Sequence, residues 1–200
     1  THAAMQLVFS PIWGRLSDRI GRRPVMLFTI AGTSVALLAL GLAPSLAWLF
    51  VARALSGVFG ANISVATAYV ADVTDEKDRT RWMGMIGASF GVGFLLGPAL
   101  GGLLAPYGHD VPMFLASAMA AANCVWALFS LREPARHTRA DADVALPALA
   151  PALSSPVVRR LCLQNFFFSF AVTQLEAMFA YFMLQRFGYD ARQVAFILVG

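Results

Sequence analysis

Charge is scarce in this chain. Of its 200 residues only 13% are Asp, Glu, Lys or Arg, against about 25% in a soluble globular domain. That shortage excludes an ordinary water-facing surface. The apolar residues make up 58% of the chain, with 16 Phe among them, and the mean hydropathy is +0.67. Such a composition belongs to an integral membrane protein, whose main partner is the lipid bilayer. Cysteine is nearly missing. Cys124 and Cys162 sit in or beside apolar runs without metal-ligand spacing, so they read as free thiols on packed or lipid-facing helices. The three histidines, His2, His109 and His137, lie apart in loops or at the terminus. There is no Ser–His–Asp arrangement and no Walker-type phosphate loop. These gaps argue against an enzyme and against ATP as the energy source. No cofactor and no metal site is expected, and an ion gradient is the expected drive. The sequence pI of about 9.6 would point to nucleic acid in a soluble protein. Here the basic residues gather between apolar runs, which fits membrane topology and no nucleic-acid partner.

What is present is a series of long apolar runs. A helix needs about 20 mostly apolar residues to cross a hydrocarbon core of roughly 30 Å. Residues 1–13 read as the end of one span. Residues 25–43, 46–71, 83–105, 111–131 and 161–186 read as five whole spans, and another opens at Ala191. The runs are apolar all round rather than on one face, as lipid-embedded helices are. Their lengths exclude strands. The fold class expected is therefore all-α, a polytopic membrane helical bundle.

Topology follows from the bases. Arg15, Arg19, Arg22 and Arg23 lie in the first connector, Lys77, Arg79 and Arg81 in the third, and Arg132, Arg136, Arg139, Arg159 and Arg160 in the fifth. The intervening connectors, Ala43–Ser45 and Tyr107–Asp110, have none. By the positive-inside rule the basic connectors are cytoplasmic. The stretch from Arg132 to Val157 holds four prolines and is too broken to span. It reads as a cytoplasmic linker, giving a first bundle at 1–131, a linker at 132–160 and the start of a second bundle at 161–200. Ser155 and Pro156 form an N-cap and first-turn pair toward the next helix. The chain starts at Thr1 and stops inside an apolar run, so it reads as a piece of a longer protein.

Five segments carry chemistry. In GRLSDRIGRRP, residues 14–24, Asp18 and Arg22 are four apart and pair if the turn is helical. Gly14 and Gly21 permit close approach or unusual backbone angles. Positive-inside anchoring explains the arginines there but not Asp18 or the glycines. Arg53 sits within an apolar run, where a mid-membrane charge costs about 2.5–3.5 kcal/mol; it either faces the bundle interior or snorkels to the interface. ADVTDEKDRTRWMG, residues 71–84, reads as a solvated connector. In GASFGVGFLLGPALGG, residues 87–102, Gly93, Gly97 and Gly101 are spaced by four and line one face that lets a neighbour's backbone come close. Pro98 removes a ladder bond and should kink that helix. Farther on, Gln174 and Glu176 lie amid FFFSFAVTQLEAMFAYF. Desolvation there disfavours an ionised carboxyl, which suits Glu176 to proton exchange; a structural hydrogen bond to a neighbouring helix is the alternative. Tyr181 and the surrounding Phe residues are packing or lipid contacts, or part of a surface that stacks on a flat apolar molecule.

The 14–24 pattern resembles the signature loop between the second and third helices of major facilitator superfamily transporters. The resemblance covers almost the whole chain, from the second helix to part of the eighth, and so implies a bundle of that type incomplete at both ends. It implies a gating charge cluster of Asp18, Arg19 and Arg22, joined by Asp72, within a loop motif that includes Gly14, Gly21 and Arg23. Arg53 and Gly57 resemble the family's fourth-helix pattern linked with proton transfer, although Ser56 stands where many members have Gln. The run Gly93, Gly97, Pro98, Gly101, Gly102 resembles the fifth-helix motif of drug–proton antiporters, and with VADVTDEKDRTRWMG places the chain near the tetracycline-resistance branch. The implied function is secondary active efflux of a small amphipathic molecule or drug by alternating access. Protons are the coupling ion, Arg53 and Glu176 the candidate coupling residues, and Gln174 and Tyr181 the candidate substrate-cavity residues. The location is the plasma membrane, the bacterial inner membrane, and the protein is expected to be a monomer. A symporter or facilitator for a small metabolite, and a non-transporting sensor or scaffold of the same fold, stay open as other readings.

Overall fold

The structure is a computed structural model and describes residues 1–60, 62–108, 110–134, 155–189 and 193. Among these residues all regular structure is helical. The helices are α1 (His2–Ile20), α2 (Arg22–Gly41), α3 (Leu46–Phe59), α4 (Asn62–Val73), α5 (Glu76–Leu104), α6 (Val111–Ser130) and α7 (Pro156–Phe187), with a short 3-10 turn at Ala105–Tyr107. The chain divides into two compact units. The first holds α1–α6, and its described residues run from Thr1 to Pro134. The second holds α7 and is described by itself.

Among the described residues, four stretches are long and apolar enough to cross a membrane: Arg22–Gly41, Leu46–Val73, Glu76–Leu104 and Val111–Ser130. The expected span 161–186 forms a helix, α7. The helix expected from Ala191 and the linker residues 135–154 fall outside the described residues, Gln193 apart.

Helix α2 is the centre of the first unit. It packs most extensively on α6, then on α3 and α1, while α5 makes only light contact with α4 and α6. The buried core is made of small and hydroxyl side chains: Val25, Ile30, Ala36, Ala52, Val65 and Ala127, with Ser17, Thr29, Ser56 and Ser117. That is how helices pack in lipid, where small residues allow close backbones and hydroxyls bond across. Ser34 and Ser117 do so reciprocally. Ser34 Oγ donates to the Ser117 carbonyl at 2.9 Å, and Ser117 Oγ to the Ser34 carbonyl at 2.8 Å. The large apolar side chains, Phe28, Phe94, Leu96, Trp126 and Phe129 among them, face outward, as they do in a bilayer.

Two boundaries differ from expectation. The connector 14–24 is almost wholly helical: α1 runs to Ile20, α2 begins at Arg22, and Gly21 alone joins them. Likewise α5 begins at Glu76, so Arg79, Arg81 and Gly84 are helical and Glu76 and Asp78 occupy its first turn, where the helix dipole favours acids. Charge ends the membrane-embedded part of a helix without ending the helix.

The expected span 46–71 lies within one stretch, Leu46–Val73, that is long and apolar enough to cross, described as two successive helices. Helix α3 stops at Phe59, Gly60 is a turn, and α4 starts at Asn62. Three carbonyls around Gly60 accept bonds from side chains. Trp13 Nε1 donates to Val58 at 2.7 Å, Gln6 Nε2 to Gly60 at 3.1 Å, and Thr33 Oγ1 to Phe59 at 3.4 Å. The Phe59 ring lies directly over Gly32, and Trp13, Phe28 and Phe59 form one aromatic group with centroids 5.5–6.3 Å apart.

Candidate functional site

The basic connectors come together at one end of the first unit. There the C-terminal ends of α1, α4 and α6 meet the N-terminus of α2. Arg22 is the hub. Its Nη1 lies 2.6 Å from Asp18 Oδ1 and donates to Ser17 Oγ at 2.6 Å, while its Nε lies 2.9 Å from Asp72 Oδ2. One guanidinium thus links α1, α2 and α4. Ser17, buried, donates its own O–H to the Gly14 carbonyl at 2.7 Å, which orients its oxygen toward Arg22. The Asp18–Arg22 pair forms across the Gly21 joint rather than within one helix.

The side chains differ in exposure. Arg22 is 17% exposed, against 60% for Asp18 and 43% for Asp72. The guanidinium is held in the structure while both acids stay wet. Ion pairs of this kind are worth about 0.2–1 kcal/mol each. Arg19 lies exposed on the last turn of α1 and takes no part in the two ion pairs of Arg22. Arg79 of α5 reaches back to the Ala71 carbonyl at 3.4 Å, beside Asp72.

Gly21 has φ 114° and ψ 153°, a region open essentially to glycine alone. A Cβ there would also lie 2.6 Å from Glu133 Oε1. Gly14 needs neither freedom, because it is helical and a Cβ would meet nothing within 4 Å. Its expected close approach is absent among the described residues.

Glu133 is the residue that sequence reasoning missed. Its Oε1 accepts from the Arg22 backbone N–H at 2.7 Å and its Oε2 from that of Arg23 at 3.1 Å. Arg23 in turn donates from Nη2 to the Leu128 carbonyl at 2.7 Å, and Tyr69 of α4 donates to the Arg132 carbonyl at 2.8 Å.

The other expected residues lie elsewhere. Arg53 is exposed on α3 rather than turned into the bundle, although Ser56 and Gly57, three and four residues farther on, pack against α1. Ser56 Oγ lies 3.0 Å from His2 Nδ1, and a Cβ on Gly57 would strike the His2 carbonyl. Gly57 is therefore a helix-contact glycine. Gly93, Gly97 and Gly101 border open space: no described neighbour lies within 4 Å of a Cβ there, so the expected close backbone approach is not made within this unit. Gly102 is buried, and α5 runs unbroken through Pro98. On α7, Gln174 is exposed, and Tyr181 lines an apolar groove with Met178, Phe182 and Arg186 and accepts from Gln185 Nε2 at 2.6 Å. Glu176 belongs to α7, but its side chain lies outside the described residues. Cys124 and Cys162 are free thiols. Among the described residues no group of His, Cys, Asp and Glu is placed to hold a metal.

Comparison with known proteins bears on this arrangement. A model of the Major Facilitator Superfamily matches residues 1–200. The chain is 33% identical to the class B tetracycline resistance protein of Escherichia coli, covering 100% of this chain and 51% of that protein. It is 31% identical to multidrug resistance protein 1 of Bacillus subtilis, covering 99% and 51%. Among solved structures, that of the human organic anion transporter TETRAN superposes with a TM-score of 0.76 at 27% identity, over 99% of this chain and 51% of that one. The chain spans about half the length of the curated relatives it matches.

Proposed function

The chain belongs to the Major Facilitator Superfamily, a family of membrane transporters rather than enzymes, and from that premise we propose that it is part of a proton-coupled exporter of small amphipathic drugs. The observation that carries the reading is the Arg22 hub, which ties three helices together at one end of the bundle through two solvent-wetted ion pairs. Bonds of that strength hold a closed state and release it within a cycle. Relatives named for tetracycline and multidrug resistance, together with Gly93-to-Gly102 of α5, favour export over uptake. The reading assigns α1–α6 to one bundle and α7 to the start of the next, with the linker between them and the Arg22 end in the cytoplasm of a bacterial inner membrane. Alternating access then consists of the two bundles rocking about a midplane site. Arg53 and Glu176 serve proton transfer, Gln174 and Tyr181 line the drug path, and the α5 glycine face receives a helix during the cycle.

Everted vesicles from cells producing the whole protein test this. With the vesicle interior acidified, they should accumulate tetracycline or a cationic dye, and a protonophore should abolish the accumulation. A symporter would instead move solute down the direction of proton flow. A scaffold would move none under any gradient.

A further inference from the structure

We propose that Glu133, just past the end of α6, is a positioning residue for the Arg22 hub. Its carboxylate caps the N-terminus of α2 and fixes the backbone from which Arg22 reaches Asp18 and Asp72. The proposal rests on the reading of that hub as a gate.

The need for such a cap follows from the sequence. The first N–H groups of a helix have no intrahelical acceptor. A Ser, Thr, Asp or Asn at the N-cap usually supplies one, but here the N-cap is Gly21, which has no side chain. The acceptor comes instead from a residue 111 positions later in the chain. Both carboxylate oxygens are used, one on the N–H of Arg22 and one on that of Arg23. The negative charge also sits at the positive end of the α2 dipole. Glycine at position 21 leaves room for the carboxylate, since a Cβ would press into it.

Arg22 is therefore gripped from two sides. Glu133 holds its main chain, and Asp18, Asp72 and Ser17 hold its side chain. The segment bearing Glu133 is itself fastened by Arg23 to the Leu128 carbonyl and by Tyr69 to the Arg132 carbonyl. The exit of α6, where the chain passes into the 135–154 stretch, is thus bonded to both α2 and α4. A displacement of that exit moves the base of Arg22 directly, and release of Arg22 from the acids frees α2 from α4 while leaving it bound to α6.

The test is a double-mutant cycle on efflux in the whole protein. Glu133→Ala should lower the maximal rate about tenfold, the worth of one charge-assisted bond, with KM changed by less than about twofold. Glu133→Gln, which keeps the shape and one acceptor, should fall between Ala and the wild type, and it replaces the Ala variant if that one fails to accumulate. Because both residues act through Arg22, Glu133→Gln combined with Asp18→Asn should be no more than about twofold worse than Asp18→Asn alone. Wild-type rates for both Glu133 variants alongside an impaired Asp18→Asn overturn the positioning role and leave the gate standing. Multiplicative losses in the double mutant reduce Glu133 to a structural cap and overturn it too. Wild-type rates for Asp18→Asn overturn the gate and this proposal with it.

Discussion

Replacing Gly21 by Ala tests whether one residue sets the joint between α1 and α2. The backbone at φ 114° and ψ 153° is nearly closed to a residue with a Cβ and costs about 1–3 kcal/mol. The added methyl would lie 2.6 Å from Glu133 Oε1 and 3.0 Å from its Cδ, so the carboxylate must move off the N–H groups of Arg22 and Arg23. Leaving those donors with poorer partners costs about 1–3 kcal/mol more. The total, about 2–6 kcal/mol, corresponds to a fall in Tm of at least roughly 4 °C at about 2–4 °C per kcal/mol. The measurement is thermal unfolding of the purified whole protein in detergent, followed by tryptophan fluorescence. Gly14→Ala is the control, seven residues earlier and inside α1, with open space around it; it should leave Tm unchanged or raise it, since Ala outranks Gly in a helix by about 0.5–1 kcal/mol. In a Glu133→Ala background the Gly21→Ala penalty should shrink by the steric share, about 1–3 kcal/mol. Equal shifts for Gly14→Ala and Gly21→Ala would refute the assignment of strain to the joint. An undiminished penalty in the Glu133→Ala background would refute the collision.

Other substitutions probe the remaining bonds. Asp18→Asn removes an ion pair whose acid is 60% exposed, so abundance should hold, with a stability loss under about 1 kcal/mol, while efflux slows several-fold; unchanged kinetics would remove the gate. Trp13→Phe keeps the ring contacts with Phe28 and Phe59 but strands the Val58 carbonyl, and should lower stability by about 1–2 kcal/mol; an unchanged Tm in detergent would mean the carbonyls around Gly60 need no such partner. Gly97→Leu meets open space within the first unit, so the protein should accumulate normally and lose transport. Loss of the folded protein would instead show that the glycine face is packed inside the unit. Glu176→Gln should alter the pH dependence of efflux, and an identical pH profile together with an identical substrate range would make that carboxyl structural.

Much of the bundle is legible in the sequence because lipid imposes a simple rule on helix length. The runs 25–43 and 111–131 appear as α2 and α6 within a few residues. Helix ends are less legible, and the reason is physical. Hydropathy reports where the bilayer stops, while a helix stops only where backbone bonding fails. Leu16 to Ile20 are charged or polar at several positions yet continue α1, and Lys77, Arg79 and Arg81 are good helix formers that extend α5 into water. The turn at Gly60 lies in the apolar run GVFGAN, so no change of polarity marks it. Its signal, two glycines three apart in a span, is weak on its own. The bonds from Gln6, Trp13 and Thr33 are what reveal it. Glu133 stayed hidden because its partners are 110 and 111 residues away, and no local spacing encodes that.

The placement of bonds in the first unit separates holding from releasing. Inside the bundle the links are neutral and sheltered: Ser34 with Ser117, Trp13 with Val58, Thr29 with its own helix. Removing water from such bonds leaves little competition for either partner, so they persist and keep α1, α2, α3 and α6 as a unit. At the connector end the links are ionic and wet. Asp18 and Asp72 are each open enough for water to replace Arg22 at small cost. Under the proposed gating role Arg22, at 17% exposure and with its main chain gripped, would be the member that stays in place while its acids let go. A transporter needs that division, because one bundle has to move as a body while the contacts at its mouth form and break. Exchanging the two kinds of bond would defeat it: a dry, paired charge at the mouth would lock the gate, and a wet hydroxyl pair between α2 and α6 would loosen the body that the gate is meant to swing.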